Sequence, residues 1–282
     1  MLKILKAGFF TTVQDLGRFG YRNKGVPVSG AMDKHTVAIL NKLLENKKEA
    51  AVLEITMTGP TLEFQEDTYI STGGAEMPKM LNDEIFQDYK VYKVKKGDVV
   101  SYQKLEKGFR SYLAVKGGFQ SPEILGSKSF YKPLTPSMAL RKNDIVSYKV
   151  SVSFQPKIQG IKVASYLEDK VLEVFKGPEY SILTDKHLEL LFFENFAIAK
   201  ENNRMAYQIQ DTIEGHSISM LTSATLPGTV QLTPSGKLII LMRNGQTTGG
   251  YPRVLQLSEK SVSILAQKKF RDKISFRLIE QE

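Results

Sequence analysis

Short runs in which apolar and polar residues alternate, separated by turn residues, dominate the chain. Lys273–Leu278 alternates with a period of two, the pattern of a strand with one buried face. Arg110–Val115 and Lys237–Met242 are β-rich runs that end near glycine-containing turns. Strands do not alternate regularly with long helices, which disfavours a doubly wound parallel sheet. The pattern therefore predicts a mainly β protein.

Helices form only a small part of the predicted fold, and each begins at a polar residue able to cap its first turn. The predicted capping residues are Asp33, then Thr184 or Asp185, and then Ser258. The apolar residues that share one face of each helix are Val37, Leu40 and Leu44 in the first, Leu188, Leu191 and Phe192 in the second, and Val262, Leu265 and Ala266 in the third.

Two segments repeat one pattern of turn and strand. Lys96–Tyr102 and Lys142–Tyr148 each place a glycine or an asparagine, and then an aspartate, before a β-branched run. These residues are typical of tight turns that open a hairpin strand. We expect two similar hairpins here, because a single repetition does not establish a repeat array.

A domain boundary is predicted near residues 150–165. The alternation of Ser147–Phe154 stops there, and the next strand-like run begins near Val171. Pro156 and Gly160 lie between the two and interrupt regular structure. We predict two β-barrel-like domains of similar size, residues 1–155 and residues 156–282.

Composition and charge exclude several classes of protein. Of 282 residues, 41% are hydrophobic and 24% are charged, which excludes a disordered chain, a collagen and a coiled coil. The net charge of +9 favours acidic partners, but the basic residues are dispersed and form no nucleic-acid motif. Cysteine is absent, so the chain has no disulfide framework and no thiolate nucleophile.

The sequence shows no targeting or membrane segment. Lys3 and Lys6 interrupt the N-terminal residues, which lack an apolar signal core. The longest stretch without Asp, Glu, Lys or Arg, Gly215–Gly236, is rich in serine and threonine and contains prolines, unlike a membrane span. We therefore expect a cytoplasmic protein with neither a membrane nor a nucleic acid as partner.

Several catalytic signatures are missing from the sequence. No G-x-G, complete P-loop or G-x-S-x-G pattern occurs, and His35, His187 and His216 lack metal-ligand spacing. Met77–Met80 has a proline where a biotin-acceptor turn needs flexibility. We predict no metal ligand and no covalent biotin on this chain.

A first segment dense in glycine and small polar residues runs from Thr11 to Asp33. Its carboxylates, hydroxyls and arginine could hold a carboxylate or a phosphate near a helix N-terminus. The alternative is purely structural: Asp33 caps a helix, Ser29 closes a turn and Arg18 pairs with Asp15. Both interpretations stay open.

Two further segments share this character. In Thr72–Glu76, adjacent glycines indicate a tight turn more strongly than a close approach to a ligand. In Asn244–Pro252, Asn-Gly is a hairpin signal, but the neighbouring polar residues and flexible glycines favour the lining of a site.

Together these segments resemble a known family: the allophanate-hydrolase-subunit-2-like proteins, also called the biotin-dependent carboxyltransferase A/B-domain family. Within it, the chain is most similar to the type that forms the C subunit of bacterial ATP-dependent 5-oxoprolinase. The motifs that carry the resemblance are Thr12–Arg18, Ser29–Asp33, Asn41, Leu53–Ile55, Gly59–Pro60, Thr72–Ala75, Tyr112–Val115, Gly117–Gly118, Gly126–Ser127, Pro227–Gln231 and Gln246–Pro252.

The resemblance implies fold, partners and chemistry. It implies two cyclophilin-like β-barrel domains, a B-type partner that resembles allophanate hydrolase subunit 1, and a third, A-type partner. The implied assembly uses ATP to open the lactam of 5-oxo-L-proline to L-glutamate. The chain is then one hydrolase component of a hetero-oligomer, active only with its partners, with ATP bound at the level of the complex.

The site follows from this resemblance and from residue chemistry. Arg18 suits a carboxylate or phosphate, Thr248 suits a developing oxyanion, and Asp33 or Asp15 is a possible acid or base. The predicted catalytic residues are Asp33, Arg18 and Thr248. The predicted substrate-binding residues are Asp15, Ser29, Gly73, Gly74, Arg204, Gln246, Thr247, Gly249, Gly250 and Tyr251.

Three positions depart from the family pattern. Asn244 stands where an acidic residue is usual, and Asn203–Gln208 lacks the usual glycine and second arginine. Lys128 replaces an arginine, which removes a planar fork for anions. These changes leave the fold prediction intact and bear on the substrate and on catalysis.

Two other functions compete with the role in a hydrolase complex. The first is a non-catalytic binding protein that sequesters a kinase inhibitor resembling allophanate hydrolase subunit 1. The second is a carboxyltransferase component acting on a urea-like substrate with biotin supplied in trans.

Overall fold

The computed structural model describes residues 1–280, and the chain divides into two compact units. The first unit consists of Met1–Arg18 and Ser29–Leu167. The second consists of Phe19–Val28 and the residues from Glu168 onward. The division differs in two ways from the predicted single boundary after residue 155. The main boundary lies after Leu167, and Phe19–Val28 belongs to the second unit.

The later boundary arises because the segment around Gly160 pairs with the first unit. Val91 N–H donates to the Gln159 carbonyl at 2.8 Å, and Ile161 N–H donates to the Tyr89 carbonyl at 3.0 Å. Pro156 and Gly160 therefore introduce an extended segment of the first unit and not a linker.

Phe19–Val28 belongs to the second unit because its side chains bond there. Arg22, at the start of a 3₁₀ turn over Arg22–Lys24, donates from Nη2 to the Thr225 carbonyl. No compositional signal in the sequence marks Phe19–Val28 as part of the second unit. Only its hydrogen-bond partners in the folded chain reveal this membership.

The first unit contains one helix, α1, and twelve strands within residues 1–167. The helix spans Lys34–Leu43. The strands are β1 (Leu2–Lys6), β2 (Phe10–Gln14), β3 (Val52–Thr56), β4 (Thr61–Phe64), β5 (Thr68–Glu76), β6 (Lys79–Leu81), β7 (Glu84–Phe86), β8 (Tyr92–Val94), β9 (Val99–Tyr102), β10 (Lys107–Val115), β11 (Phe119–Gln120) and β12 (Ile145–Tyr148).

These strands form two antiparallel sheets. One has seven strands in the order β11-β12-β1-β4-β9-β6-β7, and the other has five in the order β2-β3-β10-β5-β8. Alternate residues of both sheets, such as Leu62 and Leu113, enter one apolar core. Helix α1 covers the opposite face of the five-stranded sheet with the predicted stripe of Val37, Leu40 and Leu44.

Two turns confirm the repeated pattern in the sequence. Gly97 and Asn143 both have positive φ angles, of 92° and 72°. In both turns the following aspartate accepts a backbone N–H three residues earlier: Asp98 from Lys95 at 2.7 Å and Asp144 from Arg141 at 2.8 Å. Each turn leads directly into a strand, β9 or β12.

The prediction of a tight turn at Gly73-Gly74 is wrong, because both residues lie inside β5. A Cβ on Gly73 would lie 2.5 Å from the Tyr89 ring, so the glycine admits that ring against the strand. Gly74 has a φ of 96° where the pairing of β5 with β10 shifts register. The pair marks a β-bulge and a close side-chain approach.

The second unit contains the remaining helices and strands of the described chain. Its helices are α2 (Asp185–Phe193) and α3 (Glu259–Leu265), with a 3₁₀ turn over Tyr180–Ile182. Its strands are β13 (Val171–Lys176), β14 (Phe196–Asn202), β15 (Ala206–Thr212), β16 (Ser223–Ala224), β17 (Thr229–Leu232), β18 (Lys237–Leu241), β19 (Thr248–Gly249), β20 (Arg253–Leu257) and β21 (Lys273–Leu278).

Seven of these strands close into a barrel in the order β13-β20-β17-β18-β15-β14-β21. The parallel pairing of β13 with β21 closes it, and the other pairs are antiparallel. Strands β16 and β19 pair only with each other and lie outside the barrel sheet. Closure removes the unpaired strand edges that an open sheet would expose.

The predicted fold class is confirmed: the chain is mainly β, with three α-helices in residues 1–280. All three capping predictions hold, since Asp33, Thr184 and Ser258 accept N–H groups of the first helical turns. Barrel closure is complete in the second unit, whereas the first unit keeps two separate sheets.

Candidate functional site

Asp15 lies at the centre of a buried hydrogen-bond network in the first unit. Its carboxylate accepts the Ser127 and Ser129 hydroxyls at 2.7 and 2.5 Å, and the Lys128 N–H at 2.6 Å. It also accepts the Gly17 N–H at 2.7 Å. These bonds fix the segment after β2 against residues 127–129.

Arg18 is fully buried beside this network. It donates from Nε to the Ile124 carbonyl at 3.2 Å and from Nη2 to the Ser129 carbonyl. Its Nη1 has no hydrogen-bond partner among the described residues. Burial lowers the pKa of Arg18, and Asp15 opposes that shift. The predicted Arg18–Asp15 pair is therefore electrostatic and involves no direct hydrogen bond.

Ser29 and Gly30 form a strained turn in the first unit. Ser29 is buried with a φ of 56°, and its Oγ has no hydrogen-bond partner in the described chain. A Cβ on Gly30 would lie 2.6 Å from the Leu16 carbonyl carbon, so glycine is required there. In addition to Arg18 Nη1, Ser29 Oγ is thus a second buried polar atom of this unit that has no hydrogen-bond partner among residues 1–280.

Asp33 caps α1 and belongs to a cluster of hydroxyl groups. Its carboxylate accepts the Thr36 N–H at 3.1 Å, the Thr36 hydroxyl at 2.9 Å and the Tyr166 hydroxyl. Burial and the Asp33 charge both raise the pKa of Tyr166, which stays a protonated donor. The capping alternative for Asp33 is therefore confirmed.

Tyr89 contacts the glycines of β5. The Gly74 N–H donates to the Tyr89 hydroxyl at 3.0 Å, and the Tyr89 ring occupies the space that a Cβ on Gly73 would need. Burial raises the pKa of Tyr89, and the Asp33 charge also raises it. Asp33 and Gly74, predicted as site residues from separate segments, therefore both act on Tyr89, the first through its charge and the second through a hydrogen bond.

Glu54 and Tyr112 were not predicted as site residues, although both lie in the family motifs. Tyr112 donates to Glu54 Oε2 at 2.9 Å and accepts the Asp33 N–H at the same distance. Glu54 Oε2 also accepts the Met32 N–H at 2.8 Å. Burial raises the pKa of Tyr112 well above its usual value. The sequence signal that could have identified Glu54 is a glutamate between the apolar residues of β3, all of which are buried in the structure.

The second unit presents the Gln246–Tyr251 motif on a ribbon, defined as β16 and β19. Ser223 pairs with Gly249, and Ala224 pairs with Thr248. Thr248 and Tyr251 are exposed, in contrast to the buried residues of the first unit.

Buried Thr225 continues the ribbon. Its N–H donates to the Thr247 carbonyl at 3.0 Å, and its hydroxyl donates to the Gln246 carbonyl at 2.6 Å. The exposed Thr248 side chain therefore projects from backbone that is held by the pairing with Ala224 and by the bonds from Thr225.

Gly249 lies against the amide ends of two glutamine side chains. A Cβ there would lie 2.5 Å from Gln231 Nε2 and 2.8 Å from Gln246 Nε2. Gln231 is buried and also donates to the Tyr251 carbonyl at 3.4 Å. Beside Gly250, by contrast, the space is open. Gln231 is a site residue that the sequence prediction omitted.

Arg204 and Asn244 are neighbours in the second unit. Arg204 Nη2 lies 3.5 Å from Asn244 Oδ1, and the Asn244 N–H donates to the Arg204 carbonyl at 2.8 Å. The family departure at position 244 therefore changes the immediate surroundings of Arg204.

The predicted site residues fall into two groups. Asp15, Arg18, Ser29, Asp33, Gly73 and Gly74 belong to the first unit, and Arg204, Gln246, Thr247, Thr248, Gly249, Gly250 and Tyr251 belong to the second. A cavity of about 670 Å³ in the first unit is lined by Asp88, Tyr89 and Lys90 and by residues 159–163. Of the groups described above, only Tyr89 reaches it.

Residues 1–280 contain no cluster of three or more histidine, aspartate or glutamate residues able to hold a metal ion. None of the helices in these residues is long and apolar enough to span a membrane.

A family model described as "Carboxyltransferase domain, subdomain A and B" matches residues 24–278. The chain belongs to this carboxyltransferase family. It is 33% identical to the C subunit of 5-oxoprolinase from Escherichia coli over 95% of this chain and 87% of that protein. It is 31% identical to the C subunit of 5-oxoprolinase from Haemophilus influenzae over 99% of this chain and 91% of that protein.

Solved structures support the same membership. The urea amidolyase of Kluyveromyces lactis superposes with a TM-score of 0.88 at 26% identity. The match covers 99% of this chain but only 19% of that enzyme. The chain thus spans about a fifth of that larger protein, and the family resemblance inferred from the motifs is confirmed.

Proposed function

We propose that this carboxyltransferase-family chain is one component of an ATP-dependent 5-oxoprolinase that opens the lactam of 5-oxo-L-proline to L-glutamate. The observation that supports the proposal is coverage: the two relatives named as the C subunit of 5-oxoprolinase match this chain over nearly its whole length and most of their own. The urea amidolyase, by contrast, is several times longer than the shared region.

The chemistry of a lactam defines what the site needs. An amide carbonyl is a poor electrophile, and transfer of the γ-phosphoryl group of ATP to its oxygen activates it and releases ADP. Water adds to the activated carbon and loses a proton, and collapse of the adduct breaks the ring C–N bond, with a proton taken up by the nitrogen, to give an acyl phosphate. A second water attacks this acyl phosphate and releases glutamate and inorganic phosphate, and hydrogen-bond donors stabilise the negative charge that develops on the carbonyl oxygen. We assign ATP to the assembled complex, whose other members are a B-type partner resembling allophanate hydrolase subunit 1 and an A-type partner.

Each group of residues suits one of these needs. In the second unit, the exposed Thr248 hydroxyl, with Thr247 beside it, serves as oxyanion donor. In the first unit, Arg18 Nη1 and Ser29 Oγ are buried polar groups with no hydrogen-bond partner among residues 1–280, and such groups suit a carboxylate or phosphate oxygen. Asp33, whose carboxylate accepts the Thr36 and Tyr166 hydroxyls, is the candidate acid or base.

Reconstitution tests the proposal. The purified chain is combined with candidate A-type and B-type partners, and glutamate formation and ATP hydrolysis are measured while each component is omitted in turn. We expect glutamate only when all the chains are present. A stable complex whose turnover is the same without this chain would refute the proposal and favour the binding protein that sequesters its partner.

A carboxyltransferase role is the second candidate, because the family model itself and the urea amidolyase fold favour it. The sequence has no biotin-acceptor motif, so biotin would come from another chain. Inhibition of the reconstituted activity by avidin, with a urea-like substrate, would favour this role over the lactamase.

A further inference from the structure

The ribbon that displays Thr248 depends on contacts from outside its own sheet. Strands β16 and β19 pair only with each other, and residues 213–222, which lead into β16, contain no helix or strand. A two-stranded ribbon alone is marginally stable in water. Its position on the second unit must therefore come from other bonds.

Two arginines provide such bonds at two consecutive carbonyls, those of the last residue of β16 and of the residue after it. Arg253, at the start of barrel strand β20, donates from Nη1 to the Ala224 carbonyl at 2.6 Å. Arg22 donates from Nη2 to the Thr225 carbonyl. Thr225 in turn bonds to the backbone of Gln246 and Thr247. The arginines are thus linked to the motif loop through one intervening segment.

Glu179 fixes the orientation of Arg253. It accepts Arg253 Nε at 2.9 Å, Nη2 at 2.6 Å and the Arg253 backbone N–H at 2.8 Å. Both side chains are about one-fifth exposed, so the pair is largely shielded from solvent. The two hydrogen bonds from Nε and Nη2 fix the guanidinium plane and leave Nη1 free to reach the Ala224 carbonyl.

Apolar packing does not replace these bonds. A pocket of about 230 Å³ that opens to solvent is lined by Ala224 and Leu226 and by Leu255, Gln256 and Arg253 of the barrel. Atoms that face an open pocket lack packing partners on that side. The ribbon therefore has room to shift when its polar anchors are lost.

We infer that Arg253, oriented by Glu179, and Arg22 are positioning residues that hold the Thr248 ribbon in its working geometry. They act through the backbone of Ala224 and Thr225 and do not touch the reacting atoms. The effect on activity rests on the proposed function, whereas the effect on the ribbon itself does not. A displacement of about 1 Å at a catalytic group costs up to about 100-fold in rate.

The test compares Glu179→Gln, Arg253→Lys and Arg22→Lys with a matched control, Arg277→Lys. Arg277 donates to Glu173 at 2.6 Å between two barrel strands, and its hydrogen bond does not involve the ribbon. Hydrogen exchange of peptides covering residues 223–225 and 246–249 is measured on the full chain. We expect roughly tenfold faster exchange there in the first three variants and no change in the control.

The kinetic arm uses the reconstituted complex. We expect kcat to fall by roughly 10- to 100-fold with KM within about twofold for Arg253→Lys and Glu179→Gln, and no change for Arg277→Lys. Ribbon exchange equal to wild type in all three variants would overturn the inference. An inactive wild-type complex would refute only the proposed function, because the exchange measurement stands without it.

Discussion

The first unit buries its predicted site residues, whereas the second exposes four of its seven. Asp15 and Asp33 are interior carboxylates that accept hydrogen bonds from several backbone and side-chain groups. Thr248, in contrast, projects from a ribbon outside the barrel sheet. Similar polar motifs are thus built into the interior of one unit and reach the surface in the other. Substitutions of the buried residues in the first unit should therefore affect stability as well as turnover, whereas substitutions of the exposed residues in the second should leave stability unchanged.

The largest expected effect is on stability, from Asp15→Ala. This change leaves the Ser127 and Ser129 hydroxyls and the Gly17 and Lys128 N–H groups without their shared acceptor. We expect the free energy of unfolding to fall by roughly 3–5 kcal/mol, the usual cost of breaking a buried charged network. Urea denaturation measures it, with Asp144→Ala in an exposed turn as control. A loss below about 1 kcal/mol would show that water replaces the carboxylate.

Thr248→Ala should affect turnover and leave stability unchanged. Loss of one oxyanion donor lowers kcat by roughly 100- to 1000-fold. Because the side chain is exposed, the free energy of unfolding should change by less than about 0.5 kcal/mol. Thr248→Ser, which keeps the hydroxyl, is the matched control. If Thr248→Ala retains activity within about twofold in an active complex, Thr248 has no catalytic role.

Tyr112→Phe tests whether the Asp33 cluster is structural. The change removes the donor to Glu54 and the acceptor for the Asp33 N–H in a fully buried place. We expect a loss of roughly 1–3 kcal/mol in the free energy of unfolding. Tyr92→Phe, whose hydroxyl accepts the exposed Gln87 N–H, is the control and should cost less. If the two variants lost the same free energy of unfolding, the burial of the Asp33 cluster would add nothing to the cost of removing a tyrosine hydroxyl.

The smallest expected effect is a pH dependence in the second unit. Arg253 lowers the pKa of Glu179 below its ordinary value of 4.5. A lowered carboxylate pKa stabilises the fold above the unfolded-state pKa, and this stabilisation is lost as the pH falls through the folded-state value. Between pH 6 and pH 3, wild type should therefore lose more stability than Glu179→Gln, by about 1 kcal/mol or less. If the free energies of unfolding of wild type and Glu179→Gln fell in parallel between pH 6 and pH 3, this linkage would be excluded.

Much of the fold followed from local pattern. The alternation of Lys273–Leu278, the caps of the three helices and the paired turns at Gly97 and Asn143 all depend on neighbours within a few residues. The interactions that decide such features are local, so the sequence contains them. The error at Gly73-Gly74 arose because a double glycine is typical of a turn, while the reason for it, the Tyr89 ring, lies elsewhere in the chain.

By itself, the sequence determined the fold class, the helix caps, the family and the motifs from which the site residues come. Only the tertiary structure decided what those residues do. It buried Asp15 and Arg18 against residues 124–129, placed the Tyr89 hydroxyl on the Gly74 N–H, and anchored the Thr248 ribbon by Arg22 and Arg253. Composition and spacing report short-range preferences, whereas these partners are separated by many residues along the chain. Burial and hydrogen-bond partnership therefore appear only once the chain has folded.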